Sequence, residues 1–369
     1  RSYSVTGVQT CALPIFVVRL APLVTILLAA SCAISPERAA RDRLLTGMEI
    51  AVGQARHVEA EATARELLED PGLALSDRCA ALLGLGRALD GQGRPAEALD
   101  VLAVLGRDCA SRPESARGLQ QVALLAARLG RPEVEDRAWS RVVTAFPDDP
   151  AALRAVDELS APRDPGRTPV SRVARLQGLY RQVPDREVSP YLLVKAARIV
   201  EASAASNPAA AEQAFPLYRR IVQAHPDSPQ ANDALLAMAR LALAAGRPAE
   251  AAGYAERLLA LREWSFLMVS YDTAVYPAAA FLRAEAARAA GESPASVADW
   301  YDAFGRWFPE DPRVPLARLR AARAIEASGD LPDARARFLR LVADHPGTPS
   351  ARWADDHMAG RDPGPEPVP

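Results

Sequence analysis

Lysine is nearly missing from this 369-residue chain, with Lys195 standing alone among 44 basic residues. Histidine, cysteine and methionine number four each, and aromatics make up only 6%. Each shortage excludes something. The four histidines (His57, His225, His345 and His357) form no His-Glu-x-x-His zinc pair. A phosphate-cradling glycine loop, a nucleophile elbow and a calcium loop are missing too. A net charge of −2 leaves no electrostatic footprint for nucleic acid. An uncharged run near the start, from Leu20 to Ala30, is too short to span a bilayer as a helix. Arginine carries the positive charge alongside abundant alanine, which reads as the codon bias of a GC-rich genome. No cofactor and no enzymatic activity are expected.

What is present is repetition. Gly-Arg-Pro-Ala-Glu-Ala occurs verbatim at 93–98 and 246–251, with weaker echoes after Gly130, Gly291 and Gly329. A Pro-x-x-Pro pair recurs at Pro147 and Pro150, Pro226 and Pro229, Pro309 and Pro312, and Pro346 and Pro349. Self-similarity on this scale indicates stacked helical hairpins. Glycine past one helix supplies a left-handed turn, and proline two residues on starts the next helix. The later Pro-x-x-Pro then ends that second helix. Apolar residues keep helical spacing between these marks, as in Leu82, Leu85, Leu89, Ala98, Leu102 and Leu105. Helices are expected near 38–54, 57–69, 78–91, 95–108, 115–129 and 133–146, with a further long element over 263–290.

The pattern resembles the tetratricopeptide repeat (TPR). The resemblance rests on Leu85-Gly86 or Ala321-Ala322 as the small pair in helix A, and on Gly93, Gly246 or Gly329 at the turn. Ala98, Ala251 or Ala334 is the small residue of helix B, Leu102 or Phe338 the bulky one, and Pro346 the closing proline. Glu135 and Ala255 depart from it, and 161–207 fits no repeat cleanly. The resemblance implies an all-α, right-handed α-α superhelix of about six or seven hairpins over roughly residues 40–358. It divides into blocks 39–160 and 170–360 around a proline-rich stretch at 161–169, which is either a linker or a long loop within one superhelix. The segment 361–369 alternates proline with charge and is expected to be disordered.

The beginning of the chain reads differently. Residues 5–15 resemble a translated sequencing adapter, so 1–15 is set aside. Residues 16–31 resemble an export signal ending at Cys32, in a sequence similar to a lipobox. Cys32 is then the lipid-bearing residue, with 32–38 a tether, and cleavage by ordinary signal peptidase near Ser31 or Ala33 is the alternative. The phrase Pro226-Asp-Ser-Pro-Gln-Ala231 adds a resemblance to Gram-negative envelope TPR lipoproteins. That implies a non-enzymatic scaffold on the periplasmic side of the outer membrane. The alternatives are a soluble periplasmic protein, a helical accessory arm of a peptidoglycan-processing system, or a cytosolic regulatory TPR protein.

Candidate site residues are few. Cys79 begins one helix of a hairpin and Cys109 ends the other, so in an exported protein they are candidates for a disulfide. Two inert buried thiols are the alternative. TPR ligands lie against helix A, and the position after the small pair often contacts them. Here that position is Arg87, Arg240 and Arg323, three arginines suited to carboxylates of an acidic or C-terminal peptide partner. Asp90 and Glu326, three residues beyond Arg87 and Arg323, are alternative partners on the same helix. Arg240 has no such neighbour. His225 and His345 share one slot before a proline and read as structural. His357, near Asp355 and Asp356, is a weak candidate metal ligand. Trp264, Phe266, Tyr271, Tyr276 and Phe281, and the face formed by Trp300, Tyr301, Phe304, Trp307 and Phe308, read as core before surface.

Overall fold

The computed structural model describes residues 35–162, 168–203, 212–261 and 275–368. Among them there is no strand, and every element is a helix. Two compact units divide between Asp108 and Cys109. The first holds α1 (Pro36–Gly53), α2 (His57–Glu69), α3 (Leu75–Gly91) and α4 (Pro95–Asp108). The second holds α5 (Pro113–Arg128), α6 (Pro132–Ala145), α7 (Pro150–Ser160), α8 (Pro169–Gln182) and α9 (Ser189–Ser203). After a short 3₁₀ turn come α10 (Phe215–Ala224), α11 (Pro229–Ala244), α12 (Pro248–Ala260), α13 (Val275–Ala289) and α14 (Pro294–Trp307). The chain continues through α15 (Val314–Ala327), α16 (Leu331–Asp344) and α17 (Pro349–Met358).

Within each unit, substantial helix–helix contacts join helices one or two apart along the chain. That one-dimensional pattern is what a helical-repeat solenoid requires. Among the described residues, the first unit contains two helix pairs, and the second contains six pairs and a closing helix. This exceeds the six or seven hairpins expected, because α8 and α9 are helical in the stretch 161–207, where the repeat signature is blank.

Local chemistry explains both kinds of boundary. All five expected turn glycines adopt the left-handed region: Gly93 (φ 75°), Gly130 (64°), Gly246 (71°), Gly291 (68°) and Gly329 (90°). Ala55, at φ 57°, holds the equivalent place between α1 and α2, where Gly53-Gln54-Ala55-Arg56 parallels Gly91-Gln92-Gly93-Arg94. The other boundary comes from proline's clash with the residue before it, which removes that residue from helical geometry. Phe146, Val183, His225, Phe308 and His345 each precede a proline, and their φ values lie between −134° and −130°.

Unit one closes on small residues. A Cβ on Gly84 would strike the Met48 side chain of α1, and one on Gly86 the Leu102 side chain of α4. In unit two an apolar cluster extends from Ala116 to Ala286 and includes Leu159 and Leu176 on either side of 163–167. Packing is therefore continuous past the expected linker, whose central residues lie outside those described. A second cluster, from Ala280 to Ala354, contains Phe281, Tyr301, Phe304 and Phe308 in edge-to-face or tilted ring contacts. Those aromatics are core. Trp264, Phe266 and Tyr271 lie outside the described residues.

Candidate peptide-binding surface

Three helix-A segments bury a small pair and expose the arginine that follows. Leu85 and Gly86, Met238 and Ala239, and Ala321 and Ala322 are all buried, whereas Arg87, Arg240 and Arg323 are exposed. Helical geometry explains the alternation: the small pair faces the neighbouring helix while the next residue swings about 100° round towards solvent. The three arginines then differ in their partners. Arg87 belongs to unit one and has no charged partner among the described residues. Arg240 pairs with Glu201 of α9 at 2.5 Å, a partner from a different helix that spacing along α11 does not reveal. Arg323 pairs with Glu366 at 2.8 Å and lies 5.0 Å from the centre of the Trp353 ring. Glu326, the helical alternative for Arg323, is taken by His357, whose Nε2 is 2.8 Å from its carboxylate.

Each of the two arginines in unit two borders a cleft. The cleft at Arg240 has a volume of about 550 Å³ and is lined by Arg198, Glu201, Tyr218, Asp233 and Leu236. Arg198 is held by Asp233 at 2.9 Å, and the Tyr218 hydroxyl donates to Glu201. Burial, then the Glu201 carboxylate, raises the Tyr218 phenol far above its ordinary range, so it stays a neutral donor. The cleft at Arg323 has a volume of about 390 Å³, between the end of α13, the start of α14 and α15. Beneath it Arg320 is nearly buried, with 9% of its side chain exposed, and is paired with Glu285 and Glu366. Tyr301 donates to Glu285 as well.

Segment 361–368, expected to be disordered, instead lies against α15 and α17. Gly360 (φ 67°) ends the last helical turn. Asp362, Pro363 and Gly364 then form a tight turn, with Gly364 at φ 68° and its N–H donating to Asp362 Oδ1 at 2.9 Å. Proline second and a positive-φ glycine third is the chemistry of a type II turn. The turn carries the chain back so that Trp353 Nε1 donates to the Gly364 carbonyl at 3.1 Å. Sequence reasoning missed Arg320 and Glu366. The signals were available, since Arg320 lies one helical turn before Arg323 and Asp-Pro-Gly-Pro is a turn sequence.

The remaining candidates resolve simply. Cys79 and Cys109 are each disulfide-bonded and buried. Cys32 lies outside the described residues. His225 and His345 are the residues that end α10 and α16. His357 stacks on Trp353 at 4.9 Å and meets Phe338 edge-on at 5.4 Å. Among the described residues no cluster of three metal-ligating side chains occurs, and no helix is long and apolar enough to cross a membrane.

No family model matches the chain, and no curated protein matches it. Solved structures are similar at low identity. A tetratricopeptide repeat protein from Parabacteroides merdae aligns at 16% identity over 86% of this chain and 97% of its own, with a TM-score of 0.28. The apo form of the quorum sensor NprR from B. thuringiensis aligns at 10% identity over 87% and 91%, with a TM-score of 0.35. PilF from Pseudomonas aeruginosa aligns at 14% over 78% and 99%, with a TM-score of 0.28. Likeness at this level assigns neither family nor ligand.

Proposed function

We propose that this chain is a non-enzymatic, TPR-like scaffold that binds protein or peptide segments along the exposed faces of its A helices. The observation that carries this reading is the repeated placement of an exposed arginine directly after a buried small pair, at Arg87, Arg240 and Arg323. Arginine forms paired hydrogen bonds with carboxylates, so the favoured ligand is an acidic or C-terminal segment. A helical-repeat stack suits the role, because its surface extends with repeat number while each hairpin is supported only by its neighbours.

The proposed place of work is the bacterial envelope, on the periplasmic side, with Cys32 lipid-bearing and anchored in the outer membrane. This rests on the signal-like stretch at 16–31, and disulfide-bonded Cys79 and Cys109 are in keeping with an oxidising compartment. Several acyl chains hold a protein at a membrane where one is marginal. Cys32→Ala is expected to move the protein to the soluble periplasmic fraction, and an unchanged distribution refutes the anchor.

The binding reading is tested by replacing Arg87, Arg240 and Arg323 together with glutamine. In-cell crosslinking and mass spectrometry identify the captured partners. Loss of those partners with helicity unchanged is expected. Undiminished capture at low salt refutes the role of the three arginines.

A further inference from the structure

We propose that segment 361–368 is an internal ligand, and that the surface of α15 and α17 it covers selects a proline-flanked acidic segment of a protein partner. The inference deepens the reading of Arg323 as ligand-facing and rests on it. Three contacts carry it. The Glu366 carboxylate bridges two arginines of one helix, at 2.9 Å to Arg320 Nε and 2.8 Å to Arg323 Nη1. The Gly364 carbonyl accepts from Trp353 Nε1, a contact to the backbone of the turn rather than to a side chain. Arg323 lies over the Trp353 ring, so the cation and the indole that touch the segment are ordered by each other.

Charge explains why the position calls for a carboxylate. The other acids around the cleft are committed elsewhere. Glu285 is held by Arg288, Arg320 and Tyr301, Glu292 by Arg283 and Ser296, and Glu326 by His357. Without Glu366, Arg323 has no acidic partner among the described residues. Pro365 and Pro367 flank Glu366 and fix their own φ, so the segment enters already extended and loses little entropy on docking. A partner with the same features, an acid between prolines, meets the same three groups. It binds only by displacing residues 361–368.

The test uses the full chain and a fluorescent octapeptide with the sequence of residues 361–368 as probe. Wild-type protein, whose Arg320, Arg323 and Trp353 are already engaged by its own segment, is expected to bind the probe at least about tenfold more weakly than Glu366→Gln, as a tethered competitor at millimolar effective concentration requires. Adding Arg323→Gln to Glu366→Gln is expected to abolish the gain. Equal affinity for wild type and Glu366→Gln, or no binding to either, overturns the proposal and leaves 361–368 as a cap on α17. A wild-type dimer that Glu366→Gln dissociates overturns it too, by giving the cleft to a second copy. These results are separable from the general reading: undiminished partner capture by the triple arginine variant refutes that reading without altering the probe affinities.

Discussion

Replacing Gly86 with alanine sets two effects of similar size against each other in the middle of α3. Alanine is the better helix former by about 1 kcal/mol, so propensity alone makes Gly86→Ala stabilising. Packing opposes it. An ideal Cβ at Gly86 lies 2.7 Å from Leu102 Cδ2 and 2.8 Å from Leu102 Cγ, closer than real Cβ contacts come. Leu102 is only 2% exposed and has little room to retreat. Overpacking of this kind costs about 1–3 kcal/mol, so the expected net effect is a loss of about 1 kcal/mol. Gly47→Ala in α1 is the control: nothing lies within 4 Å of its Cβ, and it is expected to stabilise by up to about 1 kcal/mol. Leu102→Ala alone is expected to cost about 2–5 kcal/mol. With Gly86→Ala the pair should cost at least about 1 kcal/mol less than the sum, because the new methyl occupies the vacated space. Amide hydrogen exchange in α3 and α4 reads the local stability, which suits a helical-repeat stack, since such arrays are expected to depart from two-state unfolding. Gly86→Ala at or above wild-type stability, or strict additivity with Leu102→Ala, refutes this account of the α3–α4 seam.

Ala55→Gly is expected to stabilise the α1–α2 turn by about 0.5–1 kcal/mol, because the left-handed backbone costs an L residue about 1–2 kcal/mol and glycine gives back only part of that in entropy; an unchanged urea midpoint refutes it. His225 and His345 are held below the ordinary imidazole value mainly by burial; Arg220 and Arg318 add to the lowering, while Asp185 and Asp344 oppose it. The unfolded chain therefore takes up protons first, so their contribution to stability is complete above pH 6.5 and is lost as pH falls through the depressed folded values. Replacing both by phenylalanine, the residue found in the same slot at Phe146 and Phe308, is expected to flatten the fall in stability as pH drops below 6.5. An unaltered slope refutes it. Pairing Cys79 with Cys109 closes a loop of about thirty residues, which the chain-entropy model values at roughly 3–4 kcal/mol. Free-thiol labelling of protein purified without reductant is expected to find neither cysteine reactive, and two labelled thiols refute the bond.

The sequence by itself determined the periodic parts of this protein, because they depend on backbone chemistry within a few residues. Glycine, which adopts positive φ without strain, marks the turns at Gly93, Gly130, Gly246, Gly291 and Gly329. Beyond the first turn of a helix, proline pushes the residue before it out of helical geometry, which places the ends at Phe146, His225, Phe308 and His345. The exposure of Arg87, Arg240 and Arg323 followed equally from helical rotation past a buried small pair. Tertiary structure alone decided what those arginines meet. Glu201 reaches Arg240 from α9, and Glu366 reaches Arg323 from beyond α17, 39 and 43 residues away along the chain. No local rule couples charges at such separations. Helices α8 and α9 were likewise hidden from repeat reading, since burying Leu176 and Leu192 in one cluster needs only apolar faces that fit, not a recurring phrase. The segment 361–368 shows the division most clearly: Asp362-Pro363-Gly364 sets a turn locally, but only the packing of α15 beside α17 puts two arginines and a tryptophan where the turned chain can be held.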